Sequence, residues 1–293
     1  MGDLVIIANP DKPDAVRFAE DARDELGRCG CRAVLSLDLA DDLSRIRADM
    51  AVVFGGDGTV LGAVQRFGDE IPPILAFNVG RLGYLADNPP GGIMETISLA
   101  LGGGLAESRR MTLDARVLRD GGDVWRGGAL NEFVLSARLP GRIVPLAVSV
   151  DDEDVMYTRG DGIIVATPTG STAYALSAGG PVASPELQAV IVAPICPHQL
   201  ANRPMVLGPS ETIRLRQFGE DRAELAADGM RRFHVAPGDV VEVRASTRTV
   251  RLLSPPRGRF KVLRQKLDWG WRGERERGGM TAAYNGNGDR YEL

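Results

Sequence analysis

Residues 51–61 read Ala51-Val52-Val53-Phe54-Gly55-Gly56-Asp57-Gly58-Thr59-Val60-Leu61. A short apolar run breaks into two glycines, a carboxylate, a third glycine and a hydroxyl, and then turns apolar again. The run predicts a buried strand of a parallel sheet, and the residues from Thr59 onward predict a helix. Glycine lets the backbone turn sharply and approach a ligand closely. The carboxyl end of a strand is where open α/β sheets bind ligands, and a following helix offers free N–H groups to phosphate oxygens. A lone carboxylate there would repel a phosphate, unless Asp57 serves a hydroxyl, acts as a base or faces a metal ion. The same residues also describe a plain strand-to-helix turn with Asp57 as helix cap. The spacing matches neither the P-loop, which needs Gly-Lys-Ser/Thr, nor GxGxxG.

Outward from this turn, apolar segments at 4–8, 33–37 and 72–77 predict further strands. Segments 14–26, 59–67 and 92–101 have helical spacing, and 38–47 has a weak helical pattern. Alternation of this kind implies βαβ units on a parallel sheet. After the glycines at 102–104 the pattern changes to short alternating strands. They fall at 111–119, 132–137, 143–150, 155–158, 162–166, 189–193, 212–218, 224–227, 240–245 and 249–253, which predicts an antiparallel sandwich. The expected organisation is an α/β domain over residues 1–108 and a β-sandwich over 109–255. A helical segment at 256–272 would pack back on the first domain, and 273–293 would be a loose tail.

The 293 residues carry a net charge of -4, which argues against nucleic-acid binding driven by bulk electrostatics. No apolar run approaches the length of a membrane span, and residues 1–7 lack a basic region, so no signal peptide is expected. Cys29, Cys31 and Cys196 are too few and too scattered for a disulfide framework, which fits a reducing cytosol. His198 and His234 share no metal-ligand spacing with cysteine. Neither a Ser/His/Asp set nor a Gly-x-Ser-x-Gly elbow stands out.

Three more stretches bear on chemistry. Asn78-Val79-Gly80-Arg81-Leu82-Gly83-Tyr84 follows the next strand, and Arg81 can fork onto a phosphate or lie solvated. Arg159-Gly160-Asp161-Gly162 precedes an apolar strand that runs into Thr167-Pro168-Thr169-Gly170-Ser171-Thr172-Ala173-Tyr174-Ala175-Leu176-Ser177. Hydroxyls and free N–H groups without a cation suit a ligand held by polar contacts and stacking; the plainer reading is a capped helix with Tyr174 in the core. Asn131-Glu132 pairs an amide with a carboxylate, suited to a ribose or adenine edge or simply to a strand start. Asp228 reads as a turn carboxylate.

In this order the stretches resemble the NAD kinase family. Gly55 to Thr59 is similar to its GGDGT motif, 78–85 to its NxGxLGFL segment and Asn131-Glu132 to its NE pair. Asp161-Gly162 with residues 167–181 is similar to its long DG…TPTGSTAYxLSAGGP block. Residues 194–204 resemble its PxxPHxLxxRP segment, and 261–270 its KLxWG ending. GGDGT alone is shared with lipid kinases and phosphofructokinases; the later block narrows the choice.

The resemblance implies phosphorylation of the 2′-hydroxyl of the adenosine ribose of NAD, giving NADP. The donor would be ATP, or polyphosphate as in some members, with a divalent metal, usually Mg²⁺. By the same likeness Asp57 would be the general base, with Gly55, Gly56, Gly58 and Thr59 shaping the phosphate-binding turn. Asn131 and Glu132 would bind ribose or base, and Arg159 and Asp161 would flank the dinucleotide. Thr172, Ala173, Tyr174, Ala175, Leu176 and Ser177 would line its pockets, with Arg142 and Asp228 as further contacts. Gly62 and Met230 depart from the arginine and glutamine common at those places. A cytoplasmic homodimer or homotetramer without nucleic-acid or membrane partners is implied. The alternatives are another kinase with the GGDGT turn and a non-catalytic NAD-binding regulator.

Overall fold

The computed structural model of the chain describes residues 3–80, 83–139, 141–219, 223–255 and 261–267. Arg81, Leu82 and the expected tail at 273–293 lie outside the described residues. The first elements are β1 (Asp3–Ala8), α1 (Pro13–Arg28), β2 (Arg32–Ser36), β3 (Met50–Gly55), α2 (Asp57–Phe67), β4 (Ile74–Asn78) and α3 (Ile93–Leu101). The strands pair in parallel in the order β2–β1–β3–β4. Strands β3 and β4 are buried on both faces, as their unbroken apolar runs require. Val5, Ile7, Val53 and Ala76 pack with Val60, Val64 and Phe67 of α2. The alternate residues Leu4, Ile6, Val52 and Phe77 pack with Ala15, Ala19 and Ala22 of α1 and Ile97 of α3. The sheet therefore has α2 on one face and α1 and α3 on the other.

Residues 38–47 are not helical. Asp38 and Asp42 accept hydrogen bonds from the backbone N–H groups of Ala40 and Ser44, at 2.8 and 2.9 Å. These side chains offer the backbone a turn in place of a helical bond, and Leu43 N–H is drawn to Arg66 O on α2.

Next come β5 (Ala106–Arg119), β6 (Gly122–Ala129), β7 (Glu132–Ala137), β8 (Val144–Val150), β9 (Glu153–Gly160), β10 (Gly162–Ala166), the short α4 (Tyr174–Ser177) and β11 (Val190–Ile195). They are followed by β12 (Met205–Leu207), β13 (Ile213–Gln217), β14 (Ala223–Ala227), β15 (Arg231–Val235) and β16 (Val240–Ser254). Strands β12–β11–β10–β7–β14–β15 form an antiparallel sheet of six. Its inward residues, among them Phe133, Leu135, Ile163, Val165 and Leu225, meet Leu113, Leu146, Val148, Leu215 and Val243 of the other sheet in one core. The fold is thus an α/β part with a parallel sheet followed by an antiparallel sandwich.

The two parts share a sheet. The expected strands at 240–245 and 249–253 are one strand, β16, with a bulge of residues 246–248 opposite Thr112. Before the bulge β16 pairs with β13; after it, Leu252 and Leu253 pair in parallel with Ile74 and Leu75 of β4. The other edge of β16 follows β5 along its length, and the expected boundary at residue 108 falls inside β5. Strands β6, β12 and β15 were not anticipated. Among the described strands each has a neighbour on one side only, and each sends only two side chains to the core: Trp125 and Ala129 from β6, Met205 and Leu207 from β12, and Phe233 and Val235 from β15. Residues 256–293 form a separate unit, described only at the helix α5 (Lys261–Leu267).

Candidate active site

The Gly55–Gly58 turn joins β3 to α2. Gly56 is the N-cap and Asp57 the first helical residue, so Asp57 does not cap its own helix. Thr59 does part of that work, its Oγ1 accepting Gly56 N–H at 3.3 Å. A Cβ on Gly55 would fall on that hydroxyl, so the turn closes only around glycine. The half-buried Asp57 carboxylate crosses to the loop after β4. It accepts N–H bonds from Tyr84 at Oδ2 (2.8 Å) and from Leu85 and Ala86 at Oδ1 (2.9 and 3.0 Å). A Cβ on Gly83 would fall on Asp57 Oδ1. The phenol of Tyr84 is shifted upward by burial and then by the Asp57 charge. Beside the turn, Asn78 Oδ1 is buried without a partner among the described residues.

Sequence reading missed Lys12 here. It follows β1, and β1 lies directly beside β3, with Asn9 N–H bonded to Phe54 O at 3.1 Å. Lys12 Nζ donates to Val79 O at 2.7 Å. The signal was a cation just past a strand's carboxyl end, but the strand order was needed to bring it to Gly56.

A second cluster forms where β7 begins. Asp228, buried and at a φ of 49°, accepts N–H bonds at Oδ1 from Asn131 (2.8 Å) and Glu132 (3.1 Å). Its Oδ2 takes Leu130 N–H and Gln65 Nε2, both at 2.9 Å. Burial pushes the Asp228 carboxyl up, and these four donors pull against that shift. Glu132 is buried against it. Burial first and the Asp228 charge second push its carboxyl up to about 8, opposed by a bond from Tyr174 N–H. Glu132 therefore carries its proton at neutral pH, where the sequence suggested a carboxylate. Glu132 Oε2 and Thr169 Oγ1 are buried without a partner among the described residues. Two buried polar atoms left open in one place point to a ligand that completes them.

The hydroxyls of the Thr167–Ser171 stretch mostly hold the turn itself. Thr167 Oγ1 donates to Leu130 O (2.6 Å) and Ser171 Oγ to Pro168 O (2.6 Å), while Thr172 Oγ1 reaches Thr169 O at 3.3 Å. Ala175 is buried on the outer face of β10 and β11 with Ile164 and Ala193. Ala173 and Leu176 are partly buried, and Ser177 and Tyr174 are exposed.

Tyr174 reaches toward the far end of the same sheet. Its phenol is pushed up by burial and then by Asp161 and Cys196, and the Cys196 thiol is raised by its hydrogen bond to Asp161. Arg159 pairs with Pro145 in the β8–β9 register, and Arg142 lies just before β8. Both are therefore at the Asp161 end, exposed and without ion pairs among the described residues. The structure thus gathers Asn131, Glu132, Asp228 and the 167–177 stretch at one end of β10, and Arg142, Arg159 and Asp161 at the other, about 13 Å away. Tyr174 links the two groups: its N–H bonds Glu132, and its phenol feels the Asp161 charge. Helix α2 links this surface to the Asp57 turn, because Gln65 lies two turns, about 12 Å, along it. Gly62 and Met230, both departures from the family pattern, adjoin: a Cβ on Gly62 would lie 3.8 Å from Met230 Sδ. Among the described residues no helix is long and apolar enough to cross a membrane.

The ATP-NAD kinase N-terminal domain profile matches residues 38–104, and the ATP-NAD kinase C-terminal domain profile matches residues 130–254. The chain is 39% identical over 280 residues to the NAD kinase of Syntrophotalea carbinolica, an alignment covering 91% of this chain and 98% of that one. Its fold is similar to yeast NADH kinase complexed with NADH, with a TM-score of 0.85 and 23% identity over 92% of this chain and 88% of that one. It is also similar to an NAD kinase from Archaeoglobus fulgidus in complex with ATP, with a TM-score of 0.77 and 27% identity over 91% and 98%.

Proposed function

The chain belongs to the NAD kinase family, and from that premise we propose that it transfers the γ-phosphoryl group of ATP to the 2′-hydroxyl of the adenosine ribose of NAD. The observation that carries this reading is Asp57, placed at the carboxyl end of β3 and turned outward from its helix. Oδ2 accepts one protein N–H and Oδ1 two, so Oδ2 keeps room for a hydroxyl proton while the loop holds the group still. A ribose hydroxyl is a poor nucleophile, and a positioned carboxylate accepts its proton as the bond forms. The 2′-oxygen bonds the γ-phosphorus as the link from that phosphorus to the β–γ bridging oxygen breaks. The proton goes to Asp57, and ADP leaves with the bridging electron pair.

On this reading Glu132 Oε2 and Thr169 Oγ1 are completed by the dinucleotide, a protonated Glu132 donating to it. Asn131 lies alongside, and Asp228 holds the backbone N–H groups of Leu130, Asn131 and Glu132 from behind. Tyr174 stacks on the ligand, and Arg142, Arg159 and Asp161 border its far end. On this reading a divalent cation is held mainly by the nucleotide phosphates. Such an ion, Mg²⁺ in our reading, neutralises phosphate charge when bound. Three unpaired cysteines accord with a reducing cytoplasm.

The test is to incubate the purified chain with NAD, Mg²⁺ and either ATP or polyphosphate and to measure NADP. Asp57→Asn should lose turnover by several powers of ten with NAD binding kept. Binding of NAD without any NADP from either donor would point instead to a regulator that has lost turnover.

A further inference from the structure

We infer that Lys12 is a protein cation that neutralises the transferring phosphoryl group, an inference that rests on the Asp57 turn being the catalytic one. The topology places it. β1 and β3 are parallel neighbours, with Ala8 opposite Phe54, so the chain leaving β1 arrives beside the chain leaving β3. Lys12 lies four residues past β1, as the N-cap of α1. Its ammonium stands between two glycine backbones. A Cβ would lie 3.8 Å from Nζ if built on Gly56 and 3.4 Å if built on Gly80, which has a φ of 124°. Gly56 follows β3 by one residue and Gly80 follows β4 by two, and the two strands are parallel neighbours.

An ammonium has three N–H donors and no acceptor. One reaches Val79 O at 2.7 Å, and Lys12 forms no ion pair among the described residues. Two donors therefore remain for an anion, in a half-buried place. The charge balance calls for one. Phosphoryl transfer develops negative charge on non-bridging oxygens, and the turn's own side chain, Asp57, is anionic. The helix N-terminus behind Gly56 supplies partial positive charge, but a full charge comes from Lys12. Its role is charge neutralisation, not proton transfer. Its bond to Val79 O fixes the side chain across the loop after β4, so its place depends on the same loop that Asp57 holds at residues 84–86.

The experiment uses the full chain with Lys12→Met and Lys12→Arg, assayed for NADP formation, NAD binding, melting temperature and binding of inorganic tripolyphosphate. Removing one preorganised charge from a transition state costs about 100- to 1000-fold in kcat. Lys12→Met should therefore lose about that much, and tripolyphosphate affinity should fall about tenfold. Its NAD affinity and melting temperature should stay near wild type. Lys12→Arg should recover at least part of the loss, since the charge returns on a longer arm. Lys12→Met turnover within about threefold of wild type would overturn the inference. So would equal loss in both variants that follows melting temperature and NAD affinity while tripolyphosphate binding is unchanged, the pattern of a residue that only ties two loops together. Asp57→Asn run alongside separates the two failures. If it is inactive while Lys12→Met is normal, the Lys12 assignment alone fails; if Asp57→Asn also turns over normally, the assignment of the turn itself fails.

Discussion

Replacing Glu132 by Gln should stabilise the protein, and by an amount that grows with pH. In the folded chain Glu132 is 7% exposed, and its carboxyl is pushed from 4.5 up to about 8, by burial first and by Asp228 second. The sign follows from the protons. Between those two values the folded state keeps a proton that the unfolded chain releases, so the Glu132 contribution favours folding below 4.5 and declines as pH rises to about 8. At about 1.4 kcal/mol per pH unit, the interval sets a ceiling near 5 kcal/mol. Gln has nearly the same shape, can still accept Tyr174 N–H and never ionises. Relative to wild type it should be close to neutral near pH 4.5 and progressively more stable toward pH 8, with a plateau above. Even half the ceiling would raise the melting temperature by about 5 °C in a chain of this size. Thermal melts of both proteins from pH 5 to 9 at constant ionic strength read the difference directly. A difference that stays flat across that range, or that turns against Gln as pH rises, would refute the assignment of a buried, proton-holding Glu132.

The other expectations are shorter. Asp228→Asn replaces one accepting oxygen by an N–H₂ that faces existing donors, so it should cost about 3 kcal/mol, seen as a lower denaturation midpoint with an unchanged slope. Gly83→Ala puts a methyl group on the Asp57 carboxylate; NADP formation should fall about 100-fold while circular dichroism stays native, because the displaced acid no longer meets its hydroxyl. Asp57→Asn should also leave loop N–H groups unpaired, lowering stability by about 1–3 kcal/mol, which melting curves will separate from the loss of turnover. Gly62→Arg should be tolerated, since the adjoining Met230 is exposed and can move aside. With glycine removed from a helix interior, stability should rise by up to about 1 kcal/mol in chemical denaturation.

Much of this molecule was legible before any coordinates. The unbroken apolar run before Gly55 marked β3 as a buried strand of a parallel sheet, and many short strands at regular spacing, with alternation over 111–119, marked the sandwich. The Gly55–Gly58 turn stood out because its residue types serve few purposes besides a close backbone approach. Failures came where local pattern is weak or has rivals. The 38–47 segment looked faintly helical, yet Asp38 and Asp42 bind their own backbone. β6 and β15 lie on sheet margins and send only Trp125 with Ala129, and Phe233 with Val235, to the core, too few apolar residues to stand out in the sequence. β16 looked like two strands because a bulge resets its period.

Residue order along the chain dictated the element types, the two-part architecture and the identity of the acid at the glycine turn, since periodicity and backbone freedom are properties of neighbours a few residues apart. Only the folded arrangement decided which segments face each other. It brought Lys12 to Gly56 and Gly80, gave the Asp57 carboxylate to residues 84–86, set Asp228 behind Asn131 and Glu132, and thereby held a proton on Glu132. Those outcomes depend on strand order and burial, and both arise from contacts between residues far apart in the chain, which local spacing does not encode.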